Sequence, residues 1–412
     1  MMLKQEEAQG PLVGYRVLEL CSTIAGPVCA RLMADFGADV IKIESPDGDP
    51  ARSIGGQLDN VSLYCASMLR NKRGMVVNLK TPEGRELLLD LVKRADIVVE
   101  NFRPGVLERL GLDHETLKKV NRGLVVVRIS GYGQNGPYSQ LPGYGAICEA
   151  IAGVRNMTGD PDRPPSRVAL AVTDYMSAVY AAFGAMMALL QRSKTGEGQT
   201  IDMALYEAAF SMMEEAVPSY DKLGTIPMRQ GPRLMNMAPN SLYLAKDGGY
   251  VLIAANNDPI FVRLALAAGH PEWADDPRYS TQLSRGTRVD EVDKLVQDWV
   301  VQHDGAAVQR VLTEAQVPVS RVYTVADIFE DQHFRAREML VKIPHAQLEE
   351  VTLTGVVPKL SETPGSVYRA GPAPGEHTRQ ILLDDLGLSP AQIEELEAKG
   401  VVKCATPSAG KV

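Results

Sequence analysis

Asp174 is the residue of this sequence best placed for nucleophilic chemistry. It lies in the segment 172–175, directly before a continuous apolar stretch, Tyr175–Leu190, that predicts a buried helix. The free N–H groups at the start of a helix stabilise an ionised carboxylate, and such a carboxylate can attack an activated acyl group. An aspartate in this position also serves as a helix N-cap in many proteins. The pattern alone leaves both interpretations open.

A second candidate is the polar segment Asn101–Gly105, which follows a predicted strand ending at Glu100. An asparagine, an aromatic ring and an arginine at the carboxyl end of a parallel strand suit a nucleotide or phosphate ligand. Alternatively, the same residues only give the loop its shape. Ligand contact and loop structure therefore both remain possible here.

The glycine-rich segment Gly131–Gly136 matches the spacing of a dinucleotide fingerprint and follows a predicted strand, Leu124–Ile129. A true fingerprint opens a helix, whose N–H groups then meet the pyrophosphate. Here Pro137 and Pro142 follow instead. We predict a glycine-rich turn at a strand end and no NAD site.

Other catalytic classes lack their motifs. The sequence has no phosphate-binding G-x-x-x-x-G-K-[ST] loop and no G-x-S-x-G nucleophile elbow, and we expect no metal site. The histidines are dispersed without ligand spacing: His114, His270, His303, His333, His345 and His377. The same holds for the cysteines: Cys21, Cys29, Cys65, Cys148 and Cys404.

The elements that position these candidates alternate between strand and helix. Apolar runs separated by helical patterns predict a parallel sheet covered on both faces, which is a doubly wound, Rossmann-like α/β architecture. The predicted strands are Tyr15–Leu20, Asp39–Ile43, Met75–Asn78, Ile97–Glu100 and Leu124–Ile129. The predicted helices include Pro27–Phe36 and one that Thr81 caps, beginning at Pro82.

Pro- and Gly-rich stretches divide the chain. We predict the N-terminal part of a large domain at 1–215, a linker at 216–240, a small α/β domain at 241–328, and a linker with a C-terminal part at 329–412. The small domain contains a strand at Tyr250–Ala254 and a helix after Asp258. Ser389 starts a capping box that opens a C-terminal helix.

Composition excludes several classes of protein. The chain has 412 residues, 45% apolar and 23% charged, with a formal net charge of −8. These values predict a folded globular protein and argue against nucleic acid as the main partner. The segment 1–7 is acidic without an apolar core, so we expect no secretory leader. Few scattered cysteines indicate free thiols in a reducing cytoplasm, and we expect no membrane association.

Several motifs, taken in order, resemble the class III CoA-transferases. This family includes the formyl-CoA:oxalate, succinyl-CoA:dicarboxylate and carnitine CoA-transferases. The resemblance spans about residues 11 to 402, and its number of motifs, their order and their spacing are specific. The matching segments are Ala25–Pro27, Phe36–Glu44, Asn71–Arg73, Glu100–Gly105, Gly131–Pro137, the Asp174 segment, Lys194–Gln199 and Gly375–Thr378.

The resemblance implies a two-domain subunit whose large domain takes both chain ends, and an interlocked homodimer. It also implies that Asp174 is the nucleophile. Its carboxylate attacks an acyl-CoA thioester to give a mixed anhydride, and the released thiolate then forms an aspartyl-CoA thioester. CoA thioesters are substrates in this reaction, and no permanently bound cofactor, metal or ATP is needed.

The family's motif positions also imply contacts with CoA. Three of these residues, Lys80, Arg103 and Arg109, suit the phosphates because they carry cationic donors. Three positions depart from patterns within the family: Ser45 and Pro142 replace basic residues, and Gly145 replaces an acidic one. The expected CoA contacts are Thr23, Ile24, Val77, Asn78, Leu79, Lys80, Asn101, Phe102, Arg103, Arg109 and Tyr144.

Two alternatives stand beside the transferase. The α-methylacyl-CoA racemases share the fold, but they carry a histidine where this chain has Tyr144, and racemisation needs two bases. A non-catalytic CoA-binding protein is the other alternative. The loop Ile253–Asp258 resembles the succinyl-CoA:dicarboxylate branch, which favours succinyl-CoA as donor and a dicarboxylate as acceptor. Candidate partners for the acceptor carboxylate are Arg52, Arg70 and Arg233.

Overall fold

The computed structural model describes residues 8–234 and 236–405. The expectations for segment 1–7 and for the end of the chain, 406–412, lie outside the described residues. In chain order the strands are β1 (Arg16–Leu20), β2 (Asp39–Glu44), β3 (Gln57–Leu58), β4 (Val61–Ser62), β5 (Lys72–Val77), β6 (Ile97–Glu100), β7 (Val125–Ser130), β8 (Thr200–Ala204), β9 (Asn240–Leu244), β10 (Tyr250–Ala254), β11 (Val319–Arg321), β12 (Leu340–His345), β13 (Glu349–Thr354) and β14 (Val402–Lys403).

The helices connect these strands and complete both halves of the chain. They are α1 (Ala25–Asp35), α2 (Leu63–Met68), α3 (Pro82–Val92), α4 (Val106–Arg109), α5 (His114–Val120), α6 (Gly145–Ile151), α7 (Val154–Met157), α8 (Val172–Thr195), α9 (Leu205–Phe210), α10 (Ala216–Leu223), α11 (Asp258–Ala267), α12 (Glu272–Asp275), α13 (Gln282–Gly286), α14 (Val289–Val300), α15 (Gly305–Glu314), α16 (Val325–Glu330), α17 (Gln332–Ala336), α18 (Thr378–Gln380) and α19 (Pro390–Ala398).

The main sheet is parallel except at one edge. In the described part of the chain its strand order is β14-β5-β2-β1-β6-β7-β8, and only β14 runs antiparallel, against β5. The parallel pairs include β1 with β2 and with β6. This topology confirms the predicted α/β class and its parallel sheet. The carboxyl ends of β1, β2, β5, β6 and β7 therefore share one edge, which we call the carboxyl edge.

Alternating residues of each parallel strand enter two different cores, which explains why the strands read as continuous apolar runs. Val17 of β1 packs in a core with α1 and α8, while its neighbour Leu18 packs in a core with α3 and α19. In β6, Val98 faces the second core and Val99 the first. Helices thus cover the sheet on both faces.

The described residues form two compact units. The first comprises the described parts of Met1–Val154, Val168–Val217 and His333–Val412, and it holds the main sheet and the hairpin β12–β13. The second comprises Arg155–Arg167 and the described parts of Pro218–Gln332. Its antiparallel sheet, in the order β11-β10-β9, packs with α11, α14 and α15 around a core of its own. The predicted strand at Tyr250–Ala254 and the helix after Asp258 are confirmed.

Helix α8 differs from the prediction of a buried helix. It runs from Val172 to Thr195, and an alanine-rich face, including Ala181 and Ala185, is completely buried. The opposite face is apolar but uncovered, and Phe183 is 61% exposed. By length and apolarity α8 could cross a bilayer, but the core helices of soluble proteins meet the same criterion. The prediction of a buried helix is therefore correct for only one face.

Two further elements differ from the predictions. The segment predicted as a linker begins with α10, Ala216–Leu223, and the hairpin β12–β13 was not predicted. The C-terminal capping box is confirmed: Ser389 and Gln392 bond reciprocally at the start of α19. The predicted N-cap at Thr81 is also confirmed, because its Oγ1 accepts from the Gly84 N–H at 3.1 Å.

Candidate active site

The carboxyl edge gathers most of the residues predicted to contact CoA. Thr23 and Ile24 follow β1, Asn78–Lys80 follow β5, and Asn101–Arg103 follow β6. Helix α8 begins on the same side, because hydrogen bonds hold its last turn at the opposite end of the sheet, where the parallel strands begin. There Arg192 donates to Asp96, which precedes β6, and to the Gly123 carbonyl, which precedes β7. The sheet therefore brings the predicted CoA loops and the helix that carries Asp174 to one edge.

Two side chains hold the loop after β1. The amide of Asn101 accepts from the Ser22 N–H at 2.9 Å and donates to the Ser22 carbonyl at 2.8 Å. The carboxylate of Asp49 accepts from the Thr23 N–H at 3.0 Å. Thr23 has φ of 70°, a left-handed conformation that costs a non-glycine residue free energy. The two contacts stabilise this conformation directly before α1.

A buried charge network lies beneath this loop. Glu19 pairs with Lys42 at 3.1 Å and with Lys72 at 2.6 Å, and all three side chains are fully buried. Lys42 also pairs with Asp49 at 2.8 Å. Burial alone would lower the pKa of Lys42, but Glu19 and Asp49 outweigh burial and raise that pKa. The network therefore keeps Lys42 charged and fixes Asp49 beneath Thr23.

The turn after β5 is fixed by backbone contacts. The Asn78 carbonyl accepts from the Thr81 N–H at 3.1 Å, and the Asn78 side chain accepts from the Lys80 N–H at 3.1 Å. A Cβ on Gly84 would lie 2.2 Å from the Asn78 carbonyl oxygen, so the first turn of α3 must pass close to this turn. Val77 is buried, and Leu79 packs against the core, which leaves the Lys80 side chain exposed.

Arg128 supports the loop after β6. Its guanidinium pairs with Glu100 at 2.7 Å and with Glu108 of α4 at 3.1 Å. Burial raises the pKa of Glu100 despite the partly opposing effect of Arg128. Glu100 also accepts from the Phe102 N–H at 2.8 Å. These contacts fix the segment between β6 and α4, which contains Arg103, whereas Arg109 is the last residue of α4.

Lys80, Arg103 and Arg109 are exposed cations that follow β5 and β6. Within residues 8–234 and 236–405 none of the three side chains has an ion pair or a side-chain hydrogen bond. The Arg109 guanidinium lies over the loop, 3.2 Å from where a Cβ on Gly105 would stand. Three cations without acidic partners near one sheet edge are available to an anionic ligand.

Asp174 is the third residue of α8, and Ala171 is the N-cap. The interpretation of Asp174 as the cap is therefore wrong. The side chain is only partly buried and lies in the first turn, where the helix dipole stabilises a negative charge. Its carboxylate lies against the first residue of α6: a Cβ built on Gly145 would be 2.0 Å from Asp174 Oδ2.

The Asp174 carboxylate contributes to the raised pKa of two neighbouring groups. Burial, and next the charge of Asp174, raise the pKa of the Cys148 thiol to about 11. Burial, followed by Tyr175 and Asp174, also raises the pKa of Tyr64. Both groups are therefore neutral near pH 7 and add no negative charge beside Asp174.

The glycine-rich segment forms turns, as predicted, and it opens no helix. Gly133 and Gly136 have φ of +85° and +84°. A Cβ on Gly131 would lie 2.9 Å from the Gly143 Cα, so two backbone segments pass close to each other there. The segment at Gly143 leads to Tyr144, which is 69% exposed and directly precedes Gly145. Tyr144 is thus the one predicted CoA contact placed next to Asp174 and outside the loops after β1, β5 and β6.

The three arginines considered for the acceptor carboxylate are all committed to internal partners. Arg52 pairs with Glu44, and the buried Arg70 pairs with Asp35 at 2.7 Å. In the second unit, Arg233 pairs with two aspartates, at 2.6 and 2.8 Å. These contacts identify structural roles for all three side chains. Among the described residues no group of three or more His, Cys, Asp or Glu side chains is arranged to hold a metal ion.

The loop Ile253–Asp258 is rigidly held within the second unit. Asn257 caps α11 by accepting from the Ile260 N–H at 2.9 Å. The fully buried Arg285 donates to the Asn256 carbonyl at 2.7 Å and to Asp258 at 2.8 Å.

Sequence reasoning missed the supporting residues Asp49 and Arg128. Apart from nearby residues such as Lys42, their partners lie 20 to 28 positions away in the sequence and on other elements or loops. One signal was visible: Glu19 and Lys42 interrupt otherwise apolar strands, and a charged residue is seldom buried unless it is paired. The pattern indicated a buried pair but not the identity of its partners.

Comparison with known proteins gives a consistent result. The chain matches CoA-transferase family III over residues 12–378. It is 44% identical to succinyl-CoA–D-citramalate CoA-transferase of Chloroflexus aurantiacus, covering 95% of this chain and 98% of the relative. It is 39% identical to the beta subunit of succinyl-CoA–L-malate CoA-transferase of the same organism, with the same coverage.

A solved structure agrees with these relatives. A CaiB/BaiF family protein from Brucella suis superposes with a TM-score of 0.82 at 33% identity, covering 90% of this chain and 98% of that protein. The match of family, sequence relatives and fold extends over nearly the whole length of the chain. The chain is therefore an enzyme that belongs to CoA-transferase family III.

Proposed function

We propose that this enzyme transfers CoA from succinyl-CoA to a dicarboxylate, with Asp174 as the nucleophile. Two similar enzymes carry succinyl-CoA, D-citramalate and L-malate in their names. Both acceptors are hydroxy-dicarboxylates, which agrees with the branch that the loop Ile253–Asp258 resembles. A hydroxy-dicarboxylate is accordingly the acceptor class that we expect.

The reaction exchanges acyl partners in balanced steps. A carboxylate oxygen of Asp174 attacks the thioester carbonyl, the C–S bond breaks, and a mixed anhydride and the CoA thiolate form. The thiolate attacks the aspartyl carbonyl, which releases succinate and leaves an aspartyl-CoA thioester. The acceptor carboxylate attacks that thioester to form a second anhydride and the thiolate. Attack of the thiolate on the acceptor's acyl carbon then gives the new CoA thioester and free Asp174.

The position of Asp174 carries the proposal. The carboxylate lies in the first turn of a 24-residue helix, is partly exposed, and points at a helix start that has no side chain. The neighbouring thiol and phenol stay neutral near pH 7, so neither repels a negative charge on Asp174. A partly exposed carboxylate at the positive end of a helix has what a nucleophile requires.

We place CoA along the carboxyl edge. Lys80, Arg103 and Arg109 offer unpaired positive charges to its phosphates, and the Thr23–Ile24 loop and Phe102 offer backbone and apolar surface. Asn101 contributes by fixing Ser22, since both polar atoms of its amide are bonded there. Tyr144 lies beside Asp174, where the acyl group must be during attack.

Substitution of the nucleophile tests the mechanism. Asp174→Asn should lower kcat by several orders of magnitude, because an amide is a very poor nucleophile. Since Asp174 is not a cap, stability should change by at most about 1 kcal/mol, the usual size of a charge–dipole contact. Glu115→Gln, which removes a first-turn acid from α5, is the matched control. Hydroxylamine should trap wild-type Asp174 in the presence of succinyl-CoA. Normal turnover by a well-folded Asp174→Asn variant would exclude this mechanism.

A substrate panel separates the transferase from a racemase. We expect CoA transfer from succinyl-CoA to hydroxy-dicarboxylates, assayed by the appearance of the new thioester. A chiral 2-methylacyl-CoA in D₂O should gain no α-deuterium, because Tyr144 stands where the racemases carry a histidine. Deuterium exchange without transfer to any acid would favour the racemase, and CoA binding without either reaction would favour a non-catalytic protein.

We propose further that the enzyme is an interlocked homodimer of the cytoplasm. The uncovered face of α8 forms an apolar stripe of five residues at helical spacing, Tyr175, Val179, Phe183, Met187 and Leu190. Stripes of this size are usually covered by a partner, and a second copy of the chain is the partner that the family resemblance implies. The cysteines are unpaired thiols among the described residues, as a reducing compartment requires.

A further inference from the structure

We propose that Gly145 is a positioning residue for the reaction: its missing side chain provides the place in which the Asp174 carboxylate lies. A Cβ at position 145 would be 2.0 Å from Asp174 Oδ2, 2.7 Å from Cγ and 3.2 Å from Oδ1. Contacts under 3.0 Å do not occur for real Cβ atoms. The inference rests on the proposed role of Asp174 and adds a second requirement to it.

The backbone does not need glycine at this position. Gly145 is the first residue of α6, and it is absent from the residues with positive φ, unlike Gly133 and Gly136 nearby. Alanine is the best helix former and glycine is among the poorest, so a glycine here works against the helix. The three atoms closest to a Cβ at 145 all belong to Asp174. Room for this carboxylate is therefore the structural reason for glycine.

A side chain at 145 would move the nucleophile and leave the fold intact. To pass from 2.0 Å to at least 3.0 Å, Asp174 Oδ2 must shift by about 1 Å or the side chain must rotate. Rotation about the side-chain bonds of Asp174 moves fewer atoms than a shift of either helix backbone, so the carboxylate is the part that gives way. A displacement of about 1 Å at a reacting group can cost roughly a hundredfold in rate.

The contact between Asp174 and Gly145 also explains why this chain departs from the family pattern at position 145. Where family members carry an acidic side chain, this chain places the carboxylate of Asp174 itself. With Asp174 placed as it is here, an acidic side chain at 145 would lie in the space of its carboxylate, and two carboxylates so close repel each other. Gly145 and the observed position of Asp174 therefore form one arrangement, and changing either residue alone disrupts it.

The test compares two helical glycines. Gly145→Ala should lower kcat by about a hundredfold and slow the trapping of Asp174 by hydroxylamine, with the KM for succinyl-CoA within twofold of wild type. Its melting temperature should be equal or higher, because the helix gains alanine. Gly184→Ala in α8 is the control: a Cβ there would lie 3.2 Å from the Cγ2 methyl group of Ile201, which must shift by a few tenths of an ångström, and kcat should not change.

Each outcome decides the inference. A kcat within threefold of wild type for Gly145→Ala would overturn it. If Gly145→Ala instead lowers the melting temperature, the same substitution is made in an Asp174→Ala background. Recovery of the melting temperature there supports the clash with Asp174, and an equal loss in both backgrounds refutes it. Full activity of Asp174→Asn would instead overturn the proposed nucleophile, so the two ideas fail separately.

Discussion

Asp49 connects the buried charge network to the Thr23 loop, and its removal tests how that loop is held. Asp49→Ala deletes the acceptor of the Thr23 N–H and the partner of Lys42, contacts of 3.0 and 2.8 Å. Losing one partner of a buried ion pair costs about 3–5 kcal/mol. Because Lys42 keeps Glu19 at 3.1 Å, we expect the lower end, about 3 kcal/mol.

Substrate binding should change together with stability. Thr23 holds a left-handed conformation worth roughly 1–3 kcal/mol of strain, and Asp49 is one of two groups that stabilise the loop. If the freed loop relaxes, binding CoA must restore it. We expect the KM for succinyl-CoA to rise about tenfold, since about 1.4 kcal/mol corresponds to a factor of ten. Asp49→Asn, which keeps an acceptor for Thr23, should raise KM less.

The stability effect should depend on pH in a defined direction. Burial alone would raise the pKa of Asp49, but Lys42 and the N–H groups of Thr23 and Ala51 outweigh it and hold that pKa below its ordinary value. A carboxylate with a lowered folded-state pKa stabilises the protein above the unfolded pKa, about 3.9, and that stabilisation is lost as the pH falls. The difference between wild type and Asp49→Asn in urea unfolding should therefore shrink below about pH 4.

A matched control removes the exposed acid two positions earlier. Asp47→Ala should leave both the unfolding free energy and KM unchanged, because Asp47 is exposed. Unfolding free energies for Asp49→Ala within about 0.5 kcal/mol of wild type, with an unchanged KM, would show that the network does not hold the Thr23 loop.

Three other changes test separate features. Burial, then Arg369 and Arg73, lower the pKa of His377 to about 3. As the pH falls from about 6.5 to about 3, the free energy of unfolding should therefore decrease more steeply for wild type than for His377→Gln, by up to about 1.4 kcal/mol per pH unit. Parallel curves for the two proteins would refute this. Arg109→Ala should raise the KM for succinyl-CoA several-fold, most strongly at low salt, whereas Lys118→Ala on the exposed part of α5 should not. Phe183→Asp should give aggregates instead of the dimer in sedimentation if a second copy covers α8, because interlocked chains that fail to pack do not yield folded monomers; an unchanged dimer would exclude that face.

The strands of the main sheet could be predicted because burial on both faces makes them apolar throughout. The exceptions are β8 and β14, which were not predicted, and the start of β5, which was predicted at Met75 but found at Lys72. Lys72 is fully buried and paired with Glu19, a residue 53 positions away. A charged residue is not expected inside a buried strand, so the first residues of β5 were not included in the prediction. Periodicity reports burial, but it cannot report a distant partner that makes burial of a charge possible.

The candidate site could be predicted at the level of segments more than of contacts. The loops after β1, β5 and β6 were expected to bind a ligand, and the parallel sheet places them at one edge. The approach of Asp174 to Gly145 depends on the packing of α8 against α6, which residue spacing does not reveal. The exposed face of α8 was missed for a similar reason, since an apolar residue reads the same whether its own chain or a partner covers it.

The antiparallel edge strand β14 has a consequence for the biosynthesis of this protein. Val402 pairs with Val77, and the Asn78 N–H donates to the Val401 carbonyl at 2.7 Å, so a strand made long after β5 completes the sheet. At about 5–20 residues per second, a ribosome needs roughly 16–65 s to reach β14 after making β5. During that interval the edge of β5 is open to pairing with other chains. The sheet-containing unit is therefore completed only once β14 has been synthesised, and until then the β5 edge is exposed to wrong pairing.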